Sequence, residues 1–260
     1  MVRMILIGYL GKMGKMMCEA AGEEPGAAIA AGIDIREAAG SYPFPTYLRR
    51  DMNGCKDAAD VIVDFSQADG VPGAIDYALA RKLPLIICTT GLSEDCVKKI
   101  RAASEIIPVF WSANMSLGVN LLKSLAAKAA KILYGSGFDI EIVERHHNQK
   151  LDAPSGTAAV LAQTVNEALG GNMRPIYDRT GAREKRSRDE IGIHSVRGGT
   201  IVGDHSVIFA GRDEVIELSH SAGSRQVFVV GALNAAKFMA GRKSGLYGMD
   251  DLVRELTDEV

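Results

Sequence analysis

Short apolar runs alternate with amphipathic stretches through the first 111 residues of the chain. The apolar runs occupy 2–7, 27–33, 61–65, 84–88 and 106–111, and the helical stretches occupy 12–23, 70–82 and 93–104. Because the runs are apolar on both faces, they are typical of strands in a parallel sheet that helices cover on both sides. Ser93, followed by Glu94 and Asp95, indicates the N-cap and first turn of the third helix. The pattern predicts a doubly wound α/β domain.

The pattern changes after Trp111. A helical stretch at 117–131 precedes strand-like segments at 138–144, 191–197, 200–209 and 214–220, with a helix inserted at 155–169. This order predicts a second region with an antiparallel or mixed sheet. The basic stretch 174–188 has mixed charges, and we interpret it as a solvated loop. From Val227 the chain is predicted to be helical again, with a last helix near 249–257 that packs on the first domain.

The composition argues against nucleic-acid and membrane partners. Lys and Arg number 30 against 32 Asp and Glu, so the chain has no net basic field. No apolar run approaches the ~20 residues of a membrane span, and the apolar start is too short for a signal peptide. The four cysteines form no CxxC pair, and the histidines lack metal-ligand spacing, so we expect reduced thiols and no metal. The sequence therefore predicts a soluble cytoplasmic protein.

A glycine-rich turn joins the first predicted strand to the first predicted helix. Gly8, Gly11 and Gly14 form a GxxGxxG pattern, with Leu10 at the position where the usual GxGxxG motif has its second glycine. Glycines in this context allow a pyrophosphate to approach the amides at a helix N-terminus. Turn formation alone is the alternative explanation for them.

Asp34 closes the second predicted strand, 20 residues beyond Gly14. A carboxylate at this place accepts hydrogen bonds from adenosine ribose hydroxyls, which favours NAD over NADP. Arg36 could neutralise a 2′-phosphate, so use of both cofactors stays open. The segments 88–91 and 112–115 follow two further strands, where small and polar residues suit a nicotinamide ribose or amide, although they could also be ordinary loop residues.

The segment 144–158 concentrates proton donors beside an anion site. It contains His146, His147 and Lys150, and Pro154 is followed by a helix start at Ser155-Gly156-Thr157. Free N–H groups at a helix start suit a carboxylate or phosphate, and the imidazoles and the amine suit proton transfer. Each element alone also has a structural explanation: a strand end for the histidines and an ordinary helix start for the serine. Together they favour a site for reduction of an anionic substrate.

At this point the sequence resembles the 4-hydroxy-tetrahydrodipicolinate reductase family, also called dihydrodipicolinate reductase, nearly from end to end. The motifs that carry the resemblance are the glycine loop, Val63-Asp64-Phe65-Ser66, Thr89-Thr90-Gly91, Asn114-Met115-Ser116-Leu117-Gly118-Val119-Asn120, the E-x-H-H-x-x-K-x-D-A-P-S-G-T-A block at 144–158, Val196-Arg197-Gly198-Gly199 and Ile201-Val202-Gly203-Asp204-His205.

The resemblance implies an α/β fold with two domains. One is a Rossmann-type dinucleotide-binding domain, a doubly wound parallel sheet built from residues 1–116 and 228–260. The other is a central α+β domain with a mixed sheet, residues 117–227, which binds substrate and forms a homotetramer through its sheet. The implied activity is NAD(P)H-dependent reduction of (2S,4S)-4-hydroxy-2,3,4,5-tetrahydrodipicolinate to 2,3,4,5-tetrahydrodipicolinate with loss of water, in the diaminopimelate branch of lysine biosynthesis.

The resemblance also implies roles for individual residues. His146 matches the acid/base histidine and Lys150 the proton-donating lysine, and the groups that hold the substrate carboxylates match His147, Ser155, Gly156 and Thr157. The cofactor contacts match Gly8, Tyr9, Leu10, Gly11, Lys12, Met13, Asp34, Cys88, Thr89, Thr90, Ser112, Ala113, Asn114 and Met115. Some members carry Arg directly after the ribose acid, where this chain has Ile35. We therefore expect NADH as cofactor, with NADPH possible.

Two other functions remain to be distinguished. One is another two-domain dehydrogenase, of the homoserine or aspartate-semialdehyde type. The latter needs an activated cysteine in its catalytic domain, and no cysteine follows Cys96. The other is a module that senses NADH without turnover, which the grouping of His146, Lys150 and the helix start at Ser155 argues against.

Overall fold

The computed structural model describes residues 1–258, with side chains described as far as Leu256. The segment 228–260 of the predicted dinucleotide-binding domain therefore ends in two residues, 259 and 260, that lie outside the described residues. The chain divides into two compact units: unit 1 is Met1–Leu117 with the chain from Gln226 onward, and unit 2 is Gly118–Arg225. Among the helices in residues 1–258, none has the length and apolar content needed to cross a bilayer.

Twelve strands and seven α-helices make up the described chain. In chain order they are β1 (Val2–Ile7), α1 (Lys12–Glu23), β2 (Ala27–Asp34), β3 (Thr46–Leu48), β4 (Val61–Asp64), α2 (Val71–Arg81), β5 (Leu85–Ile87), α3 (Glu94–Ser104), β6 (Pro108–Trp111), α4 (Leu117–Leu133), β7 (Asp139–His146), α5 (Gly156–Ala168), β8 (Arg174–Ile176), β9 (Glu190–Arg197), β10 (Gly203–Ala210), β11 (Val215–Ala222), α6 (Gln226–Met239), β12 (Gly245–Tyr247) and α7 (Met249–Asp258). Short 3₁₀ segments occupy Arg49–Gly54 and Tyr134–Ser136.

Unit 1 contains a seven-stranded sheet in the order β12-β6-β5-β4-β1-β2-β3. Every pair of neighbouring strands is parallel. The doubly wound parallel sheet predicted from the sequence is confirmed, and its edge strands β3 and β12 are additions to that prediction. In such a sheet the carboxyl ends of all strands meet at one edge, which is where ligands bind.

The two faces of this sheet bury two separate apolar cores. Alternate residues of β1 point to opposite faces, so Met4 and Leu6 enter one core while Ile5 and Ile7 enter the other. Helices α1, α6 and α7 supply the first core, and α2 and α3 supply the second. Full burial of side chains of this size stabilises the fold by about 1.5–3 kcal/mol each. The predicted last helix, α7, packs in the first core through Met249 and Leu252.

Unit 2 contains a five-stranded sheet in the order β11-β10-β7-β9-β8. Strand β7 pairs antiparallel with β10 and parallel with β9, so the sheet is mixed, as predicted. Helices α4 and α5 cover one face through Leu122, Leu161 and Val165. The opposite face carries side chains such as Val143 and Ile208 that remain partly exposed.

The interpretation of 174–188 as a solvated loop is wrong for part of the segment. It begins with strand β8, and the Arg186 side chain is only 17% exposed. The Arg186 guanidinium donates to Glu141 and Asp139 at 2.8 Å each and to the backbone oxygen of Ile140 at 3.0 Å. The arginine is drawn onto the sheet because half-buried carboxylates there require a cation.

Candidate active site

The glycine turn of unit 1 depends on the absence of side chains. Gly8 has a φ of +83°, a conformation that L side chains rarely adopt, and its N–H donates to the Ile33 oxygen at 2.7 Å. A Cβ on Gly14 would lie 2.2 Å from the Gly8 oxygen and 2.6 Å from the Tyr9 Cα. Only glycine allows α1 to begin this close to the end of β1. The glycines therefore do more than form a turn, because they set the helix start directly after the strand.

The start of α1 fits a pyrophosphate. Gly11 is the N-cap and offers no side-chain hydrogen bond to the first helical amides, and the first turn contains no acidic residue. Lys12 and Met13 are the first two helical residues. Free amides and the positive end of the helix dipole attract an anionic group to this place. The ring of Tyr9 is buried in the core, so Tyr9 has only its backbone to offer a ligand.

Asp34 lies at the end of β2, beside this turn, and is 5% exposed. Its carboxylate accepts hydrogen bonds from the Leu10 N–H at 3.0 Å and the Arg36 N–H at 3.1 Å. The Arg36 guanidinium is 61% exposed and reaches the same carboxylate at 3.4 Å. A groove of about 410 Å³ adjoins it, lined by Leu10, Lys15, Arg36, Glu37, Ala39, Gly40, Ser41 and Tyr42. The sequence-based reasoning missed Lys15, which lies one residue beyond the glycine motif.

Two loops follow neighbouring strands at the carboxyl edge of the sheet. After β5, Thr89 is buried, and its hydroxyl lies 3.0 Å from the Asp64 carboxylate and 3.1 Å from the Ser66 oxygen. Burial raises the pKa of Asp64, although hydrogen bonds from Ser66 and Thr89 oppose that shift. After β6, the Ser112 hydroxyl donates to the Asn114 oxygen at 2.8 Å. The Thr89 contacts tie the first loop to the end of β4, whereas the Ser112 hydrogen bond lies within the second loop.

The other predicted cofactor residues in these loops differ in how far their side chains are exposed. Thr90 is exposed, whereas burial raises the pKa of the Cys88 thiol well above its usual value. Ala113 lies between Ser112 and Asn114, and Met115 is 3% exposed within the apolar core. Met115 therefore contributes only backbone atoms to this edge.

In unit 2 the predicted catalytic residues lie at the end of β7 and in the loop that follows it. His146 is the last residue of the strand and is 8% exposed, and its Nδ1 lies 2.6 Å from Oε2 of Glu144. His147 is half-buried, and its Nδ1 has no hydrogen-bond partner within the described chain. The Lys150 ammonium pairs with the Asp152 carboxylate at 2.8 Å.

The segment ends in the N-terminus of α5. A cis peptide bond joins Ala153 to Pro154, and Ser155 is the N-cap, with its hydroxyl accepting from the Ala158 N–H at 3.2 Å. Gly156, which is exposed, and the half-buried Thr157 are the first two helical residues. The structure therefore brings the histidines, the lysine and a helix N-terminus together along one short stretch of unit 2.

A buried cluster of polar side chains sets the protonation states of the titratable groups in this segment. Burial raises the pKa of Glu144, but hydrogen bonds from Arg197, His146, Ser195 and the Ser155 N–H outweigh it and lower the pKa to about 2. Burial, together with the charge of the neighbouring His146, lowers the pKa of His205 to about 4. The rings of His146 and His205 meet edge to face at 5.1 Å. At neutral pH, Glu144 is therefore ionised and His205 is neutral.

The sequence-based reasoning gave no role to Glu144, Arg197 or His205. Alternation along a strand could have placed Glu144 on the same face as His146, because the two are separated by one residue. Arg197 and His205 reach the cluster through strand pairing of β7 with β9 and β10. No local sequence signal reveals that pairing.

Comparison with known proteins identifies the family. The model of the dihydrodipicolinate reductase N-terminus matches residues 2–115, and the model of its C-terminus matches residues 118–253. A 4-hydroxy-tetrahydrodipicolinate reductase of Caldanaerobacter subterraneus is 51% identical, covering 98% of this chain and 99% of its own. One of Clostridium novyi is 45% identical, with 98% of this chain and 99% of the relative covered.

A solved structure agrees with these matches. The dipicolinate-bound dihydrodipicolinate reductase from Paenisporosarcina sp. TG-14 superposes with a TM-score of 0.82 at 26% identity, covering 96% of this chain and 99% of its own. The expected activity, an NAD(P)H-dependent oxidoreductase of the diaminopimelate branch, is confirmed by these relatives over the homoserine and aspartate-semialdehyde alternatives. The chain belongs to the dihydrodipicolinate reductase family.

Proposed function

We propose that the chain reduces (2S,4S)-4-hydroxy-2,3,4,5-tetrahydrodipicolinate at the segment that runs from His146 to Thr157. The observation that carries this proposal is the grouping of two histidines, a lysine and the N-terminus of α5 within one short stretch. A reduction that also removes a hydroxyl group needs a proton source close to an anion site. This segment offers both.

The substrate is a small dicarboxylate. The solved relative binds dipicolinate, a planar ring with two carboxylates. In this chain, the amides of Gly156 and Thr157 at the positive end of α5 suit one carboxylate. His147 and Lys150 lie on the preceding loop and add donors for the rest of the molecule. Ser155 supports the helix start through its N-cap hydrogen bond.

Residues of unit 1 hold the nicotinamide cofactor. The backbone from Gly8 to Met13 binds the pyrophosphate, Asp34 accepts from the adenosine ribose, and the loops at 88–90 and 112–115 bind the nicotinamide end. When bound, the cofactor would supply a hydride to the substrate ring. The glycine contacts and the uncapped start of α1 support this assignment.

His146 and Lys150 carry out the proton transfers. For each turnover, one hydride and one proton enter the ring, the C4–O bond breaks, and the hydroxyl leaves as water after taking up a hydrogen from the ring. The Lys150 ammonium donates a proton to the ring system, and His146 acts as acid and base through its Nε2. Cationic groups and the α5 dipole offset the charge of the two carboxylates throughout.

NADH is the preferred cofactor, with NADPH as the weaker alternative. A 2′-phosphate would meet the buried Asp34 carboxylate with like charge. Arg36 can leave its long 3.4 Å contact with Asp34, because its guanidinium is exposed, and pair with that phosphate. Arg36 is therefore the residue that makes any use of NADPH possible.

Initial rates with each cofactor test this preference. Substrate is generated freshly from pyruvate and aspartate semialdehyde by the preceding synthase, and oxidation is followed for wild type, Arg36→Ala and the surface control Arg50→Ala. We expect kcat/KM to be about tenfold higher for NADH, which corresponds to about 1.4 kcal/mol. Arg36→Ala should lower only the NADPH value, by about tenfold. A wild type that prefers NADPH, or an Arg36→Ala enzyme with unchanged NADPH kinetics, would contradict the assignment.

We assign residues 1–116 and 228–260 to the cofactor domain and 117–227 to the substrate and assembly domain. Supporting this, the compact units change over between Leu117 and Gly118 and between Arg225 and Gln226. The assembly is a homotetramer that forms through the face of the five-stranded sheet opposite to α4 and α5. The enzyme acts in the cytoplasm, where its substrate is made.

A further inference from the structure

We propose that Glu144 is the positioning residue of this site, because its carboxylate fixes the His146 ring and the N-terminus of α5 at the same time. The inference rests on the proposed roles of His146 and of α5, and it deepens them.

The Glu144 carboxylate is completely buried and has hydrogen-bonding contacts with His146, Arg197, Ser155 and Ser195. Oε2 lies 2.6 Å from His146 Nδ1 and 2.8 Å from one nitrogen of Arg197. Oε1 accepts from the second Arg197 nitrogen at 2.7 Å and from the Ser155 N–H at 3.0 Å. The Arg197 guanidinium and the Ser155 N–H can only donate, so the carboxylate accepts from both.

This arrangement fixes the tautomer of His146. An ionised carboxylate has no proton to give, so Nδ1 of His146 must carry the hydrogen of their 2.6 Å contact. In the neutral ring, Nε2 then keeps its lone pair. His146 presents the same nitrogen to the substrate in every turnover, ready to take up or return a proton.

The groups around the His146 ring keep Glu144 ionised. The guanidinium of Arg197 neutralises it through two parallel hydrogen bonds, the geometry in which this pair is strongest. His205 faces the His146 ring from β10, and its own Nε2 lies 3.1 Å from the Ser155 hydroxyl. Arg197 also donates to the Asp152 oxygen at 2.6 Å, which ties the loop before α5 to the same cluster.

One carboxylate thus sets the position of the acid/base group relative to the substrate anchor. Ser155 directly precedes Gly156 and Thr157, whose amides bind the substrate carboxylate. Small errors in such a distance are costly, because a displacement of about 1 Å can lower the rate about 100-fold. Glu144 contacts neither substrate nor cofactor in this account and acts through His146 and the helix start.

The opposite face of β7 provides a comparison. There Glu141 lies 2.7 Å from His194 Nε2 and 2.8 Å from Arg186, so a strand glutamate can bind a histidine and an arginine for structural reasons alone. Glu141 is 23% exposed and His194 is 41% exposed. Only the Glu144 set is buried and bonded to the start of a helix that bears predicted site residues.

A double-mutant cycle tests whether Glu144 acts through His146. Glu144→Gln, His146→Gln and the double variant are compared, with Glu167→Gln on the surface of α5 as a control for the loss of charge. Glu144→Gln should lower kcat about 100-fold in wild type, with an unchanged KM for NADH, but only about threefold once His146 is absent, because only the contact with the start of α5 is then left to lose. Equal losses in both backgrounds would overturn the proposal, because they indicate a merely structural role.

The tautomer is measured on the wild-type protein, so the test does not require a Glu144 variant that folds. In protein labelled at histidine nitrogens, the signals of His146 and His194 are assigned from their loss in His146→Gln and His194→Gln. We expect His146 to keep its proton on Nδ1 across the pH range, and neutral His194 to keep its proton on Nε2. A neutral His146 with an unprotonated Nδ1 would overturn the proposal. Turnover is recorded separately, so an inactive wild type with the expected tautomer would contradict the proposed function and not the position of the ring.

Discussion

Two glycines of α1 show how differently one absent methyl group can act. Gly14 lies where the helix approaches β1, and any Cβ there would collide with the backbone of Gly8 and Tyr9. Gly22 lies near the other end of the same helix, and a Cβ there would meet nothing within 4 Å. The first glycine is required by packing, whereas the second only gives the unfolded chain more freedom.

Alanine at each position should therefore have opposite effects. Gly14→Ala is expected to destabilise the fold by about 1–3 kcal/mol and to weaken NADH binding at least about tenfold, because the helix start must move. Gly22→Ala should raise the free energy of unfolding by about 0.5–1 kcal/mol and leave binding unchanged. Urea unfolding and NADH fluorescence titration measure both quantities. Normal NADH binding by Gly14→Ala would show that the glycine turn does not hold the cofactor.

The residues of the site differ in how far they could be predicted. Asp34 and the glycines could be predicted because a strand, a turn and a helix follow one another in the chain. His146 and Lys150 were predicted from a dense local group of functional side chains. Glu144 and Arg197 lie 53 positions apart, and they meet only because β7 and β9 pair in one register. The register of distant strands is a property of tertiary structure, so the contact between Glu144 and Arg197 could not be predicted from the sequence.

At the scale of single elements, α3 and α5 both begin with a serine N-cap, but the two serines lie in different surroundings. Ser93 caps α3, and its hydroxyl accepts from the Cys96 N–H at 3.3 Å on an exposed surface. Ser155 caps α5 in a buried place, and its hydroxyl also contacts His205. Loss of the first hydroxyl removes one hydrogen bond, whereas loss of the second also leaves a buried imidazole nitrogen without a partner.

Removal of each cap should separate stability from activity. Ser93→Ala is expected to lower the free energy of unfolding by about 1 kcal/mol with unchanged kcat/KM. Ser155→Ala should cost about 2 kcal/mol or more and lower kcat/KM about tenfold, because the substrate helix start loosens. Chemical unfolding and steady-state kinetics provide the two readouts. If Ser155→Ala retained full kcat/KM, the start of α5 would not be the anchor for the substrate.

Helices and strands could be predicted where their hydrophobic pattern extended over enough residues. Helix α1 covers 12–23 as predicted, and the other helices differ by a few residues at their ends. Strands β3, β8 and β12 were missed because three residues are too few for a period to appear, whereas the equally short β5 lies within the longer apolar run 84–88. They form at sheet edges, where pairing with an existing strand compensates for a weak local pattern.

The molecule as a whole uses both ends of its chain to build one unit. Helices α6 and α7 return to the core that contains β1, so unit 1 is discontinuous in sequence. The helical pattern from Val227 onward predicted the return of the last helix to the first domain, and the resemblance supplied the domain boundaries. Unit 2 leaves one face of its sheet without helical cover from α4 or α5, and the partly exposed Ile208 lies in the middle of that face between Glu141 and Glu217.

Ile208→Lys tests assembly through this face. In a single chain, the new ammonium can pair with Glu141 and Glu217 on the neighbouring strands, so the fold should tolerate it. Buried in a tetramer interface, the added charges would repel one another and lose hydration. We expect wild type to sediment with four times the mass of the chain, Ile208→Lys to dissociate, and the exposed control Ile132→Lys to remain tetrameric. A tetrameric Ile208→Lys would place the interface elsewhere.

The central claim is that His146 and Lys150 serve a hydride transfer to the substrate ring. Its most direct test uses NADH deuterated at the transferable position, with freshly generated substrate, and mass analysis of the ring product. We expect one deuterium per product molecule and one NADH consumed for each. His146→Gln and Lys150→Ala should bind NADH normally but transfer label at least about 100-fold more slowly. NADH oxidation without label in the ring, or full transfer by both variants, would contradict the account.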